Sequence, residues 1–128
     1  ESSGHPGFFC NTISAGERQS VLVQGADVSC RFAHNQIMNK KTFSAVMGSV
    51  DRGACIDVRD GANPEFYCNE ITGGASVGIL CQQRGRGRFV RNLIYNNQLG
   101  VHIETEGNPY LEQNTIRDQV RGTGVLIT

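Results

Sequence analysis

Residues 63–71 read "NPEFYCNEI" and residues 108–116 read "NPYLEQNTI", the same phrase 45 residues apart. Each opens on Asn-Pro, carries an Asn six residues in and closes on Ile. Working outward, the heart of the phrase occurs five times: "FFCNTI" from Phe8, "FAHNQI" from Phe32, "FYCNEI" from Phe66, "FVRNLI" from Phe89 and "LEQNTI" from Leu111. The pattern is an aromatic residue or Leu, two variable residues, Asn, one variable residue and Ile. Its asparagines, Asn11, Asn35, Asn69, Asn92 and Asn114, are spaced by 24, 34, 23 and 22 residues. A second phrase follows each Asn: "SVLV" at 20–23, "CIDV" at 55–58, "GILC" at 78–81, "GVHI" at 100–103 and "GVLI" at 124–127. Five copies of two linked phrases define a repeat protein with a period near 23.

Two architectures share that period. A leucine-rich repeat needs an apolar strand residue two places before the leading aromatic. Those places hold Pro6, Cys30, Pro64, Gly87 and Pro109, and Pro inside a strand removes a ladder hydrogen bond. The position is therefore a turn. The second phrase alternates like a strand, with no helical period. At least two short strands per repeat, separated by turns, predict a parallel β-helix solenoid of about five coils, 22–24 residues each, with one longer coil.

Four inward columns follow, one residue per coil, stacked about 4.8 Å apart. They are Phe8, Phe32, Phe66, Phe89, Leu111; Ile13, Ile37, Ile71, Ile94, Ile116; Val21, Ile56, Ile79, Val101, Val125; and Val23, Val58, Cys81, Ile103, Ile127. The five asparagines form a structural ladder at a bend, where Asn tolerates left-handed backbone and its amide pairs above and below. The small residues Ser20, Cys55, Gly78, Gly100 and Gly124 mark another tight corner. Tyr67 and Val90 alternate outward, and Asn97 stands outside the ladder.

The stretches "NPYLEQNTIRDQVRGTGVLIT" and "RGRGRFVRNLIYNNQLGVHIETEGNP" resemble the right-handed β-helix family of carbohydrate-binding proteins and sugar hydrolases. Their wording is similar to the β-helix domains of F-box substrate-receptor proteins and of a spindle-associated protein that binds the SH2 domain of Shc adaptors. The likeness covers nearly the whole chain and falls on the positions that build the coil. It implies the fold, and through the F-box likeness a substrate-binding part of a ubiquitin ligase.

The regularity breaks after Ile37. The coil from Asn35 to Asn69 is about eleven residues too long, which places an insertion at 38–53, "MNKKTFSAVMGSVDRG". Insertions in solenoids collect on one face, often the binding face, so Lys40, Lys41 and Phe43 are candidate contact residues. Neither end of the repeats carries a capping helix, although solenoids need caps. One β-helix domain over 1–128, a segment of a longer chain, is expected; end-to-end self-association is the alternative.

Bulk composition narrows the function. Twelve basic and twelve acidic residues balance, which argues against nucleic acid or an anionic membrane as partner. No apolar run reaches the length of a membrane span. Five Cys with no C-x-x-C suit reduced thiols in the cytoplasm or nucleus.

Glycoside hydrolysis needs two carboxylates roughly 5–10 Å apart. Asp57 and Glu104 lie two coils apart with Leu80 between, and Asp57, His102 and Glu104 are expected to face solvent. Cys10, His34 and Cys68 precede the Asn in three coils, but their column spacing is too wide for one shared ion. Arg84, Arg86, Arg88 and Arg91 in "QQRGRGRFVRN" read as a solvated basic corner, able to contact an acidic or phosphorylated peptide. No nucleophilic triad or phosphate loop is present. The expectation is a non-enzymatic scaffold without metal or cofactor, binding another protein through the insertion or through Arg84, Arg86 and Arg88. The alternative is a carbohydrate-binding or polysaccharide-modifying β-helix.

Overall fold

The structure, a computed structural model, describes residues 6–15, 19–26, 28–39 and 54–128. Lys40, Lys41 and Phe43 lie outside the described residues. Each coil contributes three strands. The first coil holds β1 (Gly7–Phe9), β2 (Thr12–Ala15) and β3 (Val21–Gln24); the second holds β4 (Arg31–Ala33), β5 (Gln36–Asn39) and β6 (Ile56–Arg59). The third holds β7 (Glu65–Tyr67), β8 (Glu70–Thr72) and β9 (Val77–Cys81); the fourth holds β10 (Arg88–Val90), β11 (Leu93–Tyr95) and β12 (Leu99–Ile103). The fifth holds β13 (Tyr110–Glu112), β14 (Thr115–Arg117) and β15 (Thr123–Ile127).

These strands stack into three parallel five-stranded sheets. Sheet A runs β1-β4-β7-β10-β13, sheet B runs β2-β5-β8-β11-β14, and sheet C runs β3-β6-β9-β12-β15. The repeat phrase spans sheets A and B, and the second phrase lies in sheet C. Pro6, Cys30, Pro64, Gly87 and Pro109 each sit immediately before a sheet A strand, as a turn position should.

All four inward columns are in register. Phe8 pairs with Phe32, Phe32 with Phe66, Phe66 with Phe89, and Phe89 with Leu111. The four Phe rings stack in a row, with centroids 4.7, 4.6 and 5.0 Å apart. The Ile column of sheet B and both columns of sheet C close the same core. A parallel stack places identical side chains on top of one another, so repetition of sequence becomes continuity of packing.

The ladder asparagines hold the bend between sheets A and B. The Asn69 Nδ2 donates to the Asn92 Oδ1 at 3.1 Å and to the Phe32 carbonyl at 2.9 Å. Its own oxygen accepts from the Asn35 backbone N–H at 2.9 Å. Asn35, Asn92 and Asn114 repeat this arrangement. The left-handed residue is not the Asn, however. It is the residue before it: Cys10, His34, Cys68, Arg91 and Gln113 all have φ between 53° and 58°. The preceding residue turns the chain, and Asn binds the backbone groups that the turn leaves free.

Three further expectations are corrected. Gly78, Gly100 and Gly124 lie inside strands and have no positive φ. Gly78 is small because an added Cβ would stand 2.8 Å from the Asn97 Nδ2 and from the Gly100 carbonyl. Asn97 is fully buried and belongs to a second ladder. It accepts from the Gly74 N–H at 2.7 Å, donates to the Ile71 carbonyl at 3.2 Å, and gives its N–H to the Gln119 Oε1 at 3.0 Å. Val90 sits on the outer face of sheet A yet is buried, whereas Tyr67 is half-buried. Met38 and Asn39 are strand residues in register with sheet B, and the remainder of the 38–53 insertion lies outside the described residues.

Candidate functional site

Strand alternation sends Asp57, Leu80 and His102 to the outer side of sheet C, on successive coils. The expectation that Asp57 and His102 face solvent is wrong. Asp57 is 0% exposed and His102 is also buried, while Glu104 is half-buried. Leu80 between them packs with Ala54, Val77 and Leu99 in an apolar cluster outside the main core. A charge so far from water needs partners, and Asp57 has several. The Arg59 guanidinium is ion-paired with it, the Gln19 Nε2 donates at 3.2 Å, and the Gln82 Nε2 donates at 3.3 Å. The His102 Nε2 lies 3.3 Å from the Thr128 Oγ1 and 3.8 Å from the Glu104 Oε1. Sheet C thus carries two separate polar groups, one centred on Asp57 and one on His102, with Leu80 dividing them. Both could bind polar ligands, but the Asp57 carboxylate is already engaged.

The Arg-Gly stretch turns the corner from sheet C to sheet A. Gln83 and Arg84 both take left-handed backbone, as do Asp60-Gly61 one coil back and Thr105-Glu106 one coil on. The turns are joined by hydrogen bonds from the Asp60 N–H to the Gln83 carbonyl and from the Arg84 N–H to the Thr105 carbonyl. Arg84 and Arg86 are exposed. The Arg86 Nη2 donates to the Gly61 carbonyl at 3.3 Å, and the Arg84 guanidinium has no partner among the described residues. Exposed Asp60 and Glu106 share this corner, so it is not uniformly basic. Arg88 belongs instead to the face of sheet A, 3.8 Å from Glu112 and 4.9 Å over the Tyr110 ring.

Cys10, His34 and Cys68 are exposed at successive corners. Among the described residues, no group of three or more His, Cys, Asp or Glu could hold a metal ion. The five cysteines are free. Burial pushes the Cys55 and Cys81 thiols up to about 12, and raises that of Cys30.

The second ladder and the buried Asp57 group were missed from sequence. The ladder had a signal: Gly74, Asn97 and Gln119 each follow a ladder Asn by five residues. For Asp57 the signal was Arg59 two places on, one strand repeat away on the same face.

A family model described as "Right handed beta helix region" matches residues 1–128. The chain belongs to that family, which defines it as a right-handed parallel β-helix. No curated protein and no solved structure matches it significantly.

Proposed function

We propose that this β-helix is a non-enzymatic recognition scaffold that binds another protein through its lateral surface, at the Arg84–Arg86 corner. The observation that carries this reading is the state of Asp57. The most enclosed acid on sheet C is bound by Arg59, Gln19 and Gln82, which leaves it unsuited to attack or protonate a sugar. The corner, by contrast, holds two exposed guanidinium groups on a rigid turn stack, suited to carboxylate or phosphate groups of a partner peptide. Within this reading, the likeness in repeat wording favours the substrate-binding β-helix of an F-box-type ubiquitin ligase, or a related intracellular adaptor.

A second reading has its own support. His102 and Glu104 sit together on sheet C one coil from Gln82, and a carbohydrate-binding or polysaccharide-modifying role would use that group. Two assays on one set of variants separate the readings. Partner capture, with the partner identified and re-tested in pure form, should be lost in R84A/R86A and kept in H102A/E104Q. Binding or cleavage of a polyuronate that disappears in H102A/E104Q would favour the second reading and remove the first.

A further inference from the structure

Sheet A presents an outer face whose charges alternate along the solenoid axis. Arg31, Glu65 and Arg88 occupy the first position of β4, β7 and β10; on β13 that position holds Tyr110, and Glu112 follows at the third position, its carboxylate 3.8 Å from the Arg88 guanidinium and accepting from the Tyr110 hydroxyl at 2.9 Å. Successive members are one strand apart, about 4.8 Å. The order plus, minus, plus, minus becomes its own complement when reversed.

The charges are only partly engaged within the chain. The Arg31 Nε meets the Glu65 Oε1 at 2.9 Å, and Arg88 stands 3.8 Å from Glu112. All four side chains are 37–55% exposed. Neither Nη group of Arg31 and not the second oxygen of Glu65 has a partner among the described residues. Glu65 and Arg88 are neighbours in register yet form no ion pair.

We propose that this face pairs with the same face of a second copy of the chain, in antiparallel orientation about a twofold axis between β7 and β10. Reversal brings Glu65 opposite the second copy's Arg88 and Arg31 opposite the second copy's Tyr110, diagonal to Glu112 two residues along the strand and within reach of it, and symmetry doubles each pair. A parallel arrangement along the axis would not bring opposite charges together in this way. The face is four strands deep and three residues wide, smaller than the roughly 800 Å² per partner of a stable complex. The dimer is therefore weak and sensitive to salt. It engages sheet A and leaves the Arg84–Arg86 corner to its own partner.

Sedimentation velocity on the 128-residue chain tests the proposal. The sedimentation coefficient should rise with protein concentration at about 50 mM salt and stop rising at about 500 mM, where screening is within roughly 4 Å. R31E and E112K should each abolish the rise, because either places like charges across the axis. The double variant R31E/E112K should restore it, because the reversed pair again matches. Circular dichroism and melting temperature establish that each variant is folded, and either single variant suffices for the comparison. A chain that stays monomeric at low salt, a rise unchanged in R31E and E112K, or failure of R31E/E112K to recover it would each overturn the proposal. The second outcome would place the contact at the sheet ends instead.

Discussion

The Asn at position 97 shows how much one side chain can carry. Its side-chain amide is fully buried and binds the Gly74 N–H and the Ile71 carbonyl of the preceding coil, while its backbone N–H reaches the Gln119 Oε1 of the next; the side-chain amides of Asn69 and Asn92 themselves reach both neighbouring coils. Asn69→Ala, Asn92→Ala and Asn97→Ala should each cost about 1–3 kcal/mol, since truncation leaves buried backbone groups unpaired. Thr115→Ala, on an exposed site, should cost well under that in urea titrations; equality between Thr115→Ala and Asn97→Ala would remove the second ladder from the account. The first ladder was legible because all five rungs are Asn. The second mixes Gly74, Asn97 and Gln119, and the left-handed column mixes Cys, His, Arg and Gln, so neither has a shared chemistry to read. The thiols give a pH-dependent counterpart. Folded Cys55 and Cys81 titrate near 12, above the ordinary thiol value of 9.0. The unfolded chain loses those protons first, so their contribution is full below pH 9.0 and falls between 9.0 and about 12. Replacing both with Ala should flatten that decline in denaturant titrations across the window. At neutral pH a thiol reagent should label exposed Cys10 and Cys68 quickly and buried Cys55 and Cys81 only on unfolding.

Strands here are three to five residues long, too short to hold by themselves. Their stability comes from register with the coils on either side, and the Phe row is its clearest case. Phe66→Ala should cost roughly 3–5 kcal/mol, because the ring is fully buried between two others. Tyr67→Ala, half-buried on the outer face, should cost less. Gly78→Ala offers a sharper test of strand packing. It adds only a methyl group, yet that group would stand 2.8 Å from two atoms of the next coil, and overpacking of this kind costs about 1–3 kcal/mol. A neutral result at Gly78 in thermal or urea unfolding would show that sheet C can yield there. The inward columns were readable because strand alternation with a fixed repeat leaves one solution. Burial on the outer side of sheet C was not readable, because alternation says which way Asp57 and Leu80 point and nothing about what shields them.

For the molecule as a whole, the acid at 57 and the arginines at the corner have opposite expected profiles. Asp57→Ala should destabilise by about 3–5 kcal/mol, since it leaves the Arg59 charge beside a largely closed site. Arg84→Ala and Arg86→Ala, both exposed, should barely change stability while removing partner binding. Melting curves together with a binding assay on the same variants distinguish the two; an Asp57→Ala protein as stable as the parent would mean the buried pair is absent in solution. The fold was legible at this scale, whereas Arg84 and Arg86 were legible only as a basic stretch, because solvent-facing residues are under no demand to match their neighbours along the axis. That demand has a genetic counterpart. Asn69 and Asn92 occupy the same place in adjacent coils, 23 residues apart, so a deletion joining Cys68 directly to Asn92 removes one whole circuit and brings the Asn35 amide against Asn92. The gene can therefore shorten or lengthen in steps of one turn without changing any seam, whereas a loss of a few residues within a strand shifts every rung that follows.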